Sequence, residues 1–188
     1  MEGSKYRELI LQMKQSGILF EEQVDAERLE QVQQRYGIRF PKELRSFYEQ
    51  AVPVSPGFVN WLDDSDENVK KIRNRLGFPK RNVLKAVEIE EFWPAAWGIR
   101  PADEEKALQK AEEQLSQAAV LLPLYSHRFL VCADGISNPP VLSVYGGDII
   151  YYGSCLENWL EIEFCGKSQE SVFENPLPFI PGWTPLIS

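Results

Sequence analysis

The chain carries one histidine, His127, and three cysteines, Cys132, Cys155 and Cys165. A nucleophilic pair needs a thiol and an imidazole within hydrogen-bond reach. His127 and Cys132 lie five residues apart on one strand-like run, an odd offset that sends their side chains to opposite faces. No spacing supports Cys155 or Cys165 as the alternative, and no serine sits in a G-x-S-x-G elbow. Gly146-Gly147 lies between two strand-like runs rather than before a helix, so it is not a phosphate loop. An odd number of widely spaced cysteines argues against both a disulfide framework and a zinc site.

The carboxylates are the second set of candidates. Asp63, Asp64, Asp66 and Glu67 follow Trp61-Leu62. A calcium loop starting at Asp64 would need glycine at its sixth position and glutamate at its twelfth, and these are Val69 and Arg75. Ser65 or Asp66 instead suits the cap of a following helix, with the carboxylates at its positive end. A carboxylate-dependent hydrolase built from Asp63, Asp64, Asp134 or Asp148 stays open, because spacing does not bring them together. Between Lys70 and Lys85 lie seven basic residues and no acidic one. Phe78 is the lone aromatic there, so a base-stacking platform is missing. A solvated face that pairs with acidic surface elsewhere is the expectation.

The net charge of −8 disfavours nonspecific nucleic-acid binding, and a basic partner fits it better. The acidity is concentrated from Ala119 onward, where seven acidic residues face two basic ones. With 26% charged and 44% hydrophobic residues, the composition is that of a soluble globular protein, read here as one domain over 1–188. No apolar run reaches the ~20 residues a membrane span needs. The N-terminal apolar residues are interleaved with charge, unlike a signal peptide. A cytosolic location is expected, with no cofactor and no metal.

Several elements must position these residues. Tyr6, Leu9, Ile10 and Met13 mark a first amphipathic helix that stops near Gly17. Asp25 can cap a second helix, and Gly37 can close it in the left-handed conformation. Pro41 suits the first position of a third helix running to about Ala51, with Leu44, Phe47 and Tyr48 at helical spacing. Val69, Ile72 and Leu76 give the next helix its inner stripe, and Val83 to Phe92 alternates as a strand would. Asp103 begins a polar helix reaching about Ala118. From Ala119 the period becomes that of strands: 120–124, 127–132, 141–145 and 148–152, with Gly146-Gly147 as a two-residue hairpin turn. Pro123 belongs at a strand end or a sheet edge. Leu156, Trp159 and Leu160 mark a closing helix. The tail 175–188 is proline-rich yet apolar, and is expected to wrap across the domain in extended form.

Gly37, Phe40, Pro41, Leu44 and Phe47 together with Leu156, Trp159 and Leu160 resemble the SUKH superfamily, which includes bacterial toxin-immunity proteins and fungal cell-wall-synthesis regulators. Phe40 stands where that family usually has leucine. Val52-Pro53-Val54-Ser55-Pro56-Gly57 replaces its Asn-Gly-rich turn, and 62–118 is an apparent helical insertion. The resemblance implies an α+β fold, with N-terminal helices followed by a mostly antiparallel sheet flanked by helices on one side. It also implies a non-catalytic protein-binding module: an immunity protein or regulatory adaptor that binds and occludes a partner, such as a basic toxin domain. Trp61, Asp63, Asp64, Asp66, Trp93 and Trp97 are the expected partner-binding residues, aromatic anchors beside steering carboxylates. The alternative is a small-molecule-binding protein or the carboxylate-dependent hydrolase.

Overall fold

The computed structural model describes residues 2–22, 24–89 and 92–187. The fold is α+β: helices at the N-terminus, then a four-stranded antiparallel sheet with helices around it.

Helices α1 (Glu2–Gln15), α2 (Ala26–Tyr36) and α3 (Lys42–Tyr48) come first. The Asp25 side chain accepts from Arg28 N at 2.7 Å and so satisfies one of the donors at the start of α2. Gly37 ends α2 at φ 63° and ψ 36°. The turn is a Schellman motif: Gly37 N donates to Gln34 O and Ile38 N to Gln33 O. The buried Gln33 side chain then accepts from Phe40 N at 2.7 Å, which fixes the exit angle of the chain. Pro41 falls one position earlier than expected. It precedes the helix, and its carbonyl accepts from Arg45 N.

The third helix stops at Tyr48, short of the expected Ala51, because the chain turns there into a strand. β1 (Phe20–Glu22) and β2 (Ala51–Pro53) pair antiparallel, and Val54 N extends the pairing to Leu19 O. Three residues carry too little alternation for either strand to be read from sequence.

Helix α4 (Asp66–Ile89) replaces the strand expected over 83–92; Glu90 and Glu91 of that stretch lie outside the described residues. Ile72, Pro79, Val83, Ala86 and Val87 are buried with Leu76 half-buried, and they recur at helical intervals along one face. The apparent alternation near Val83 was one edge of that stripe. Ser65 caps the helix, as expected, with its hydroxyl accepting from Asn68 N at 3.3 Å. Pro79 cannot donate to the carbonyl four residues back. Nearby, Arg81 folds back and donates to Asn74 O at 2.5 Å. Gly77 leaves the space for it, since a Cβ there would sit 2.2 Å from Arg81 Nη1. Helix α5 (Glu104–Ser116) follows, capped by Asp103.

Strands β3 (Val120–Tyr125), β4 (Arg128–Cys132), β5 (Val141–Tyr145) and β6 (Asp148–Gly153) lie in the order β3-β4-β5-β6. β3 is an edge strand, as Pro123 requires. Val131 N donates to Pro140 O, and Val144 N to His127 O, so the odd residues of β4 aim their backbone groups at β5. Pro123 faces Phe129 and thus occupies a non-hydrogen-bonded pair, where its missing N–H costs the ladder nothing. Tyr145 pairs with Asp148 across the two-residue turn at Gly146-Gly147.

Both faces of the sheet are covered, not one. Leu122, Leu124, Leu130 and Val141 pack with the N-terminal helices and with α6 (Leu156–Cys165). Leu121, Phe129, Val131, Leu142, Val144 and Ile149 pack with the second half of α4, with α5 and with the C-terminal segment. Ile180, Trp183 and Leu186 enter that second core. Trp183 Nε1 donates to Ala119 O at 2.8 Å, and Ala119 N donates to Pro181 O. Gly182 has φ 74°, and a Cβ there would lie 2.5 Å from Ala118 Cα.

Candidate functional site

The structure distributes the six expected partner-binding residues over three situations. Trp61 is a core residue, 0% exposed, and so cannot anchor a partner. Its ring meets Tyr36 and Phe40 edge-on at 5.7 and 5.4 Å, and its Nε1 donates to Tyr48 Oη at 3.1 Å. Burial pushes the Tyr48 hydroxyl well above its ordinary pKa, so it stays neutral and available as acceptor. Trp97 is likewise buried, against Trp93 at 5.3 Å. Trp93 is half-buried. Its Nε1 donates to Gly98 O at 2.7 Å, and Arg100 and Lys110 lie 5.9 and 5.8 Å from its ring centre.

The carboxylates are exposed but only partly free. Asp63 accepts from Ser65 N at 2.9 Å, and that bond holds its carboxyl below the usual range. Asp64 is hydrogen-bonded to Arg35, with Arg28 Nη2 3.9 Å from its other oxygen. Its charge is therefore spent inside the chain, and the Arg35 contact lowers its pKa. Asp66 opens α4 and is exposed. Trp61 and the three aspartates precede α4, whereas Trp93 and Trp97 follow it. A helix of 24 residues spans about 36 Å, so the two groups do not form one patch.

A different surface was not foreseen. An open groove of about 1030 Å³ lies where β3 begins and β4 ends. One wall is the α2–α3 corner from Arg39 to Glu43, and the other is the loop 133–139. Asn138 N donates to Glu43 Oε1 at 3.3 Å and ties the two walls together. The floor holds Ala118, Ala119, Val120 and Cys132, and Val120 is 51% exposed. Arg39, Lys42 and Asp134 stand among the lining residues. The groove joins the Gly37–Pro41 corner to strand ends some 80 residues later in sequence, so no local pattern could announce it.

The groups suited to covalent chemistry are held in structural contacts. Cys132 Sγ donates to Arg39 O at 3.2 Å, and burial, with help from Asp134, raises its pKa, which weakens it as a nucleophile. Cys155 caps α6 by accepting from Asn158 N. His127 Nδ1 is 3.1 Å from Ser126 Oγ, and partial burial together with Arg128 lowers its pKa. Beneath it, Arg128 donates from Nε to Glu163 at 3.2 Å and from Nη1 to Ser143 Oγ at 3.0 Å. Trp159 Nε1 also donates to Glu163, at 3.3 Å. Among the described residues, no three of His, Cys, Asp and Glu converge as metal ligands. No described helix is long and apolar enough to cross a membrane. No family model, characterised protein or solved structure matches this chain.

Proposed function

We propose that the chain is a non-catalytic protein-binding module of SUKH type, an immunity protein or regulatory adaptor that occludes its partner, a basic toxin domain being the class that fits the chain's charge. The observation that carries this reading is the groove at the Gly37–Pro41 corner. It is wide and open, with small apolar residues on its floor and Arg39, Lys42, Glu43 and Asp134 among its lining residues. An apolar centre with a polar rim is how a protein interface is built, whereas small ligands favour enclosed pockets. The net charge of −8 supplies long-range attraction for a basic partner and speeds encounter. Of the residues expected to bind, Asp63, Asp64 and Asp66 are exposed and Trp93 is half-buried, whereas Trp61 and Trp97 are buried.

The test is a pull-down with the tagged chain at low and high salt, alongside the variants Val120→Lys and Ile136→Lys. The reading expects one basic protein retained at low salt by the unmodified chain and lost from both variants. Retention by the variants as strong as by the unmodified chain would refute the groove as the site.

A further inference from the structure

Seven of the chain's twenty basic residues fall between Lys70 and Lys85, all on α4, with no acidic residue among them. The buried stripe of α4 leaves Lys70, Arg73, Arg81 and Lys85 exposed on its outer side. The expected pairing with acidic surface is absent for most of them. Lys71 pairs with Glu67 on the same helix, Arg75 donates to Gly57 O and Ser126 O, and Arg81 donates to Asn74 O. Lys70, Arg73, Lys80 and Lys85 form no ion pair among the described residues. Elsewhere many cations are matched, Lys14 with Glu22, Arg28 and Arg35 with Asp64, Arg45 with Glu49, Arg100 with Glu104, and Lys167 with Glu161, while Arg7, Arg39 and Lys106 form no ion pair among the described residues.

The basic stretch is also bounded. Asp63, Asp64, Asp66 and Glu67 precede it, and Glu88, Glu90 and Glu91 follow it in sequence. From Lys70 to Lys85 the helix rises about 22 Å. We propose that this face of α4 docks an acidic segment of a protein partner, a run of carboxylate side chains about 22 Å long, roughly seven extended residues or four helical turns. The bounded length decides the partner class. A nucleic acid carries phosphates past both ends of the stripe, where the exposed carboxylates of Asp63, Asp66 and Glu88 repel them. A flat anionic membrane meets the same flanks, and the apolar side of α4 is already buried in the core. A short acidic segment meets only the cations. This surface is separate from the groove and does not depend on it.

The test is fluorescence anisotropy of the full chain with fluorescein-labelled tetra-, octa- and hexadecaglutamate peptides. A 20-nucleotide oligouridylate serves as the competing probe. Affinity should rise from four to eight glutamates and change less than twofold at sixteen. It should fall at least tenfold between 50 and 500 mM salt. The variant K70E/R73E/K85E should lose at least tenfold. The control R7E/K106E, which reverses two exposed cations elsewhere, should lose less than twofold. Equal losses in variant and control, tighter binding of the oligouridylate, or no binding of octaglutamate at 50 mM salt would each overturn the proposal. Circular dichroism confirms that the variants, all at exposed positions, remain folded.

Discussion

Replacing Arg128 by methionine tests how the sheet and the closing helix are joined. The guanidinium donates to Glu163 at 3.2 Å and to Ser143 Oγ at 3.0 Å, and it lies 3.5 Å from the centre of the Tyr152 ring. The side chains of the pair are only 11% and 17% exposed. Arg128→Met leaves Glu163 with the Trp159 indole N–H as its remaining donor and leaves Ser143 without the charged one. Removing one partner of a buried ion pair costs about 3–5 kcal/mol. The remaining exposure lets water recover part of that, so about 2–4 kcal/mol is expected. In a chain of this size a loss of about 3 kcal/mol lowers Tm by roughly 6–12 °C. Removing both charges, as Arg128→Met with Glu163→Leu, should return the protein to within about 1 kcal/mol of the parent, because no uncompensated charge remains. Urea unfolding followed by tryptophan fluorescence measures all four corners of the cycle; with each single loss at about 2–4 kcal/mol and the double within about 1 kcal/mol, the coupling should be at least about 3 kcal/mol. If Arg128→Met alone costs less than about 1 kcal/mol, the pair is solvated and the argument from burial fails.

Other consequences follow from the same structure. Trp61→Phe should cost about 2–3 kcal/mol in urea unfolding, from lost buried volume and the vacated Tyr48 hydroxyl; a neutral result would remove Trp61 from the core. Gly37→Ala meets no atom within 4 Å, so only its φ of 63° opposes it, at about 1 kcal/mol. Gly182→Ala combines φ 74° with a backbone clash at Ala118, so it should destabilise more than Gly37→Ala and speed proteolysis of the C-terminal segment. The lowered pKa of His127 means that the unfolded chain binds its proton first on acidification. Its contribution to stability is full above the unfolded pKa of about 6.5 and is lost as pH falls toward the folded value. Thermal melts between pH 7.5 and 5.5 should show a shallower decline for His127→Gln, and an unchanged decline would contradict this.

Much of the fold was legible because caps and turns are local. Asp25, Gly37, Ser65 and Asp103 each act on groups within four residues, and Gly146-Gly147 acts within its own hairpin. What was illegible depends on distant partners. β1 and β2 are three residues each and find one another across about thirty residues, so periodicity has nothing to register. The second half of α4 was expected as a strand because Val83 to Phe92 alternates weakly, while the outcome rests on Val83 and Val87 meeting the sheet's second face. Trp61 looked like an anchor because it sits beside exposed aspartates; its partners Tyr36, Phe40 and Tyr48 come from α2, α3 and their corner. Asp64 looked free for the same reason, since Arg28 and Arg35 lie a whole helix earlier. The groove was hidden most completely, being assembled from loop and strand ends that share no sequence pattern.

The central claim is that the groove beside the Gly37–Pro41 corner receives a protein. A photo-crosslinking amino acid placed at Val120, on the groove floor, tests it directly when compared with the same group at Ile99, which is 91% exposed and outside the groove. In cells that express the partner, position 120 should give one defined protein adduct that position 99 does not. No adduct from position 120, or the same adducts from both positions, would contradict the claim.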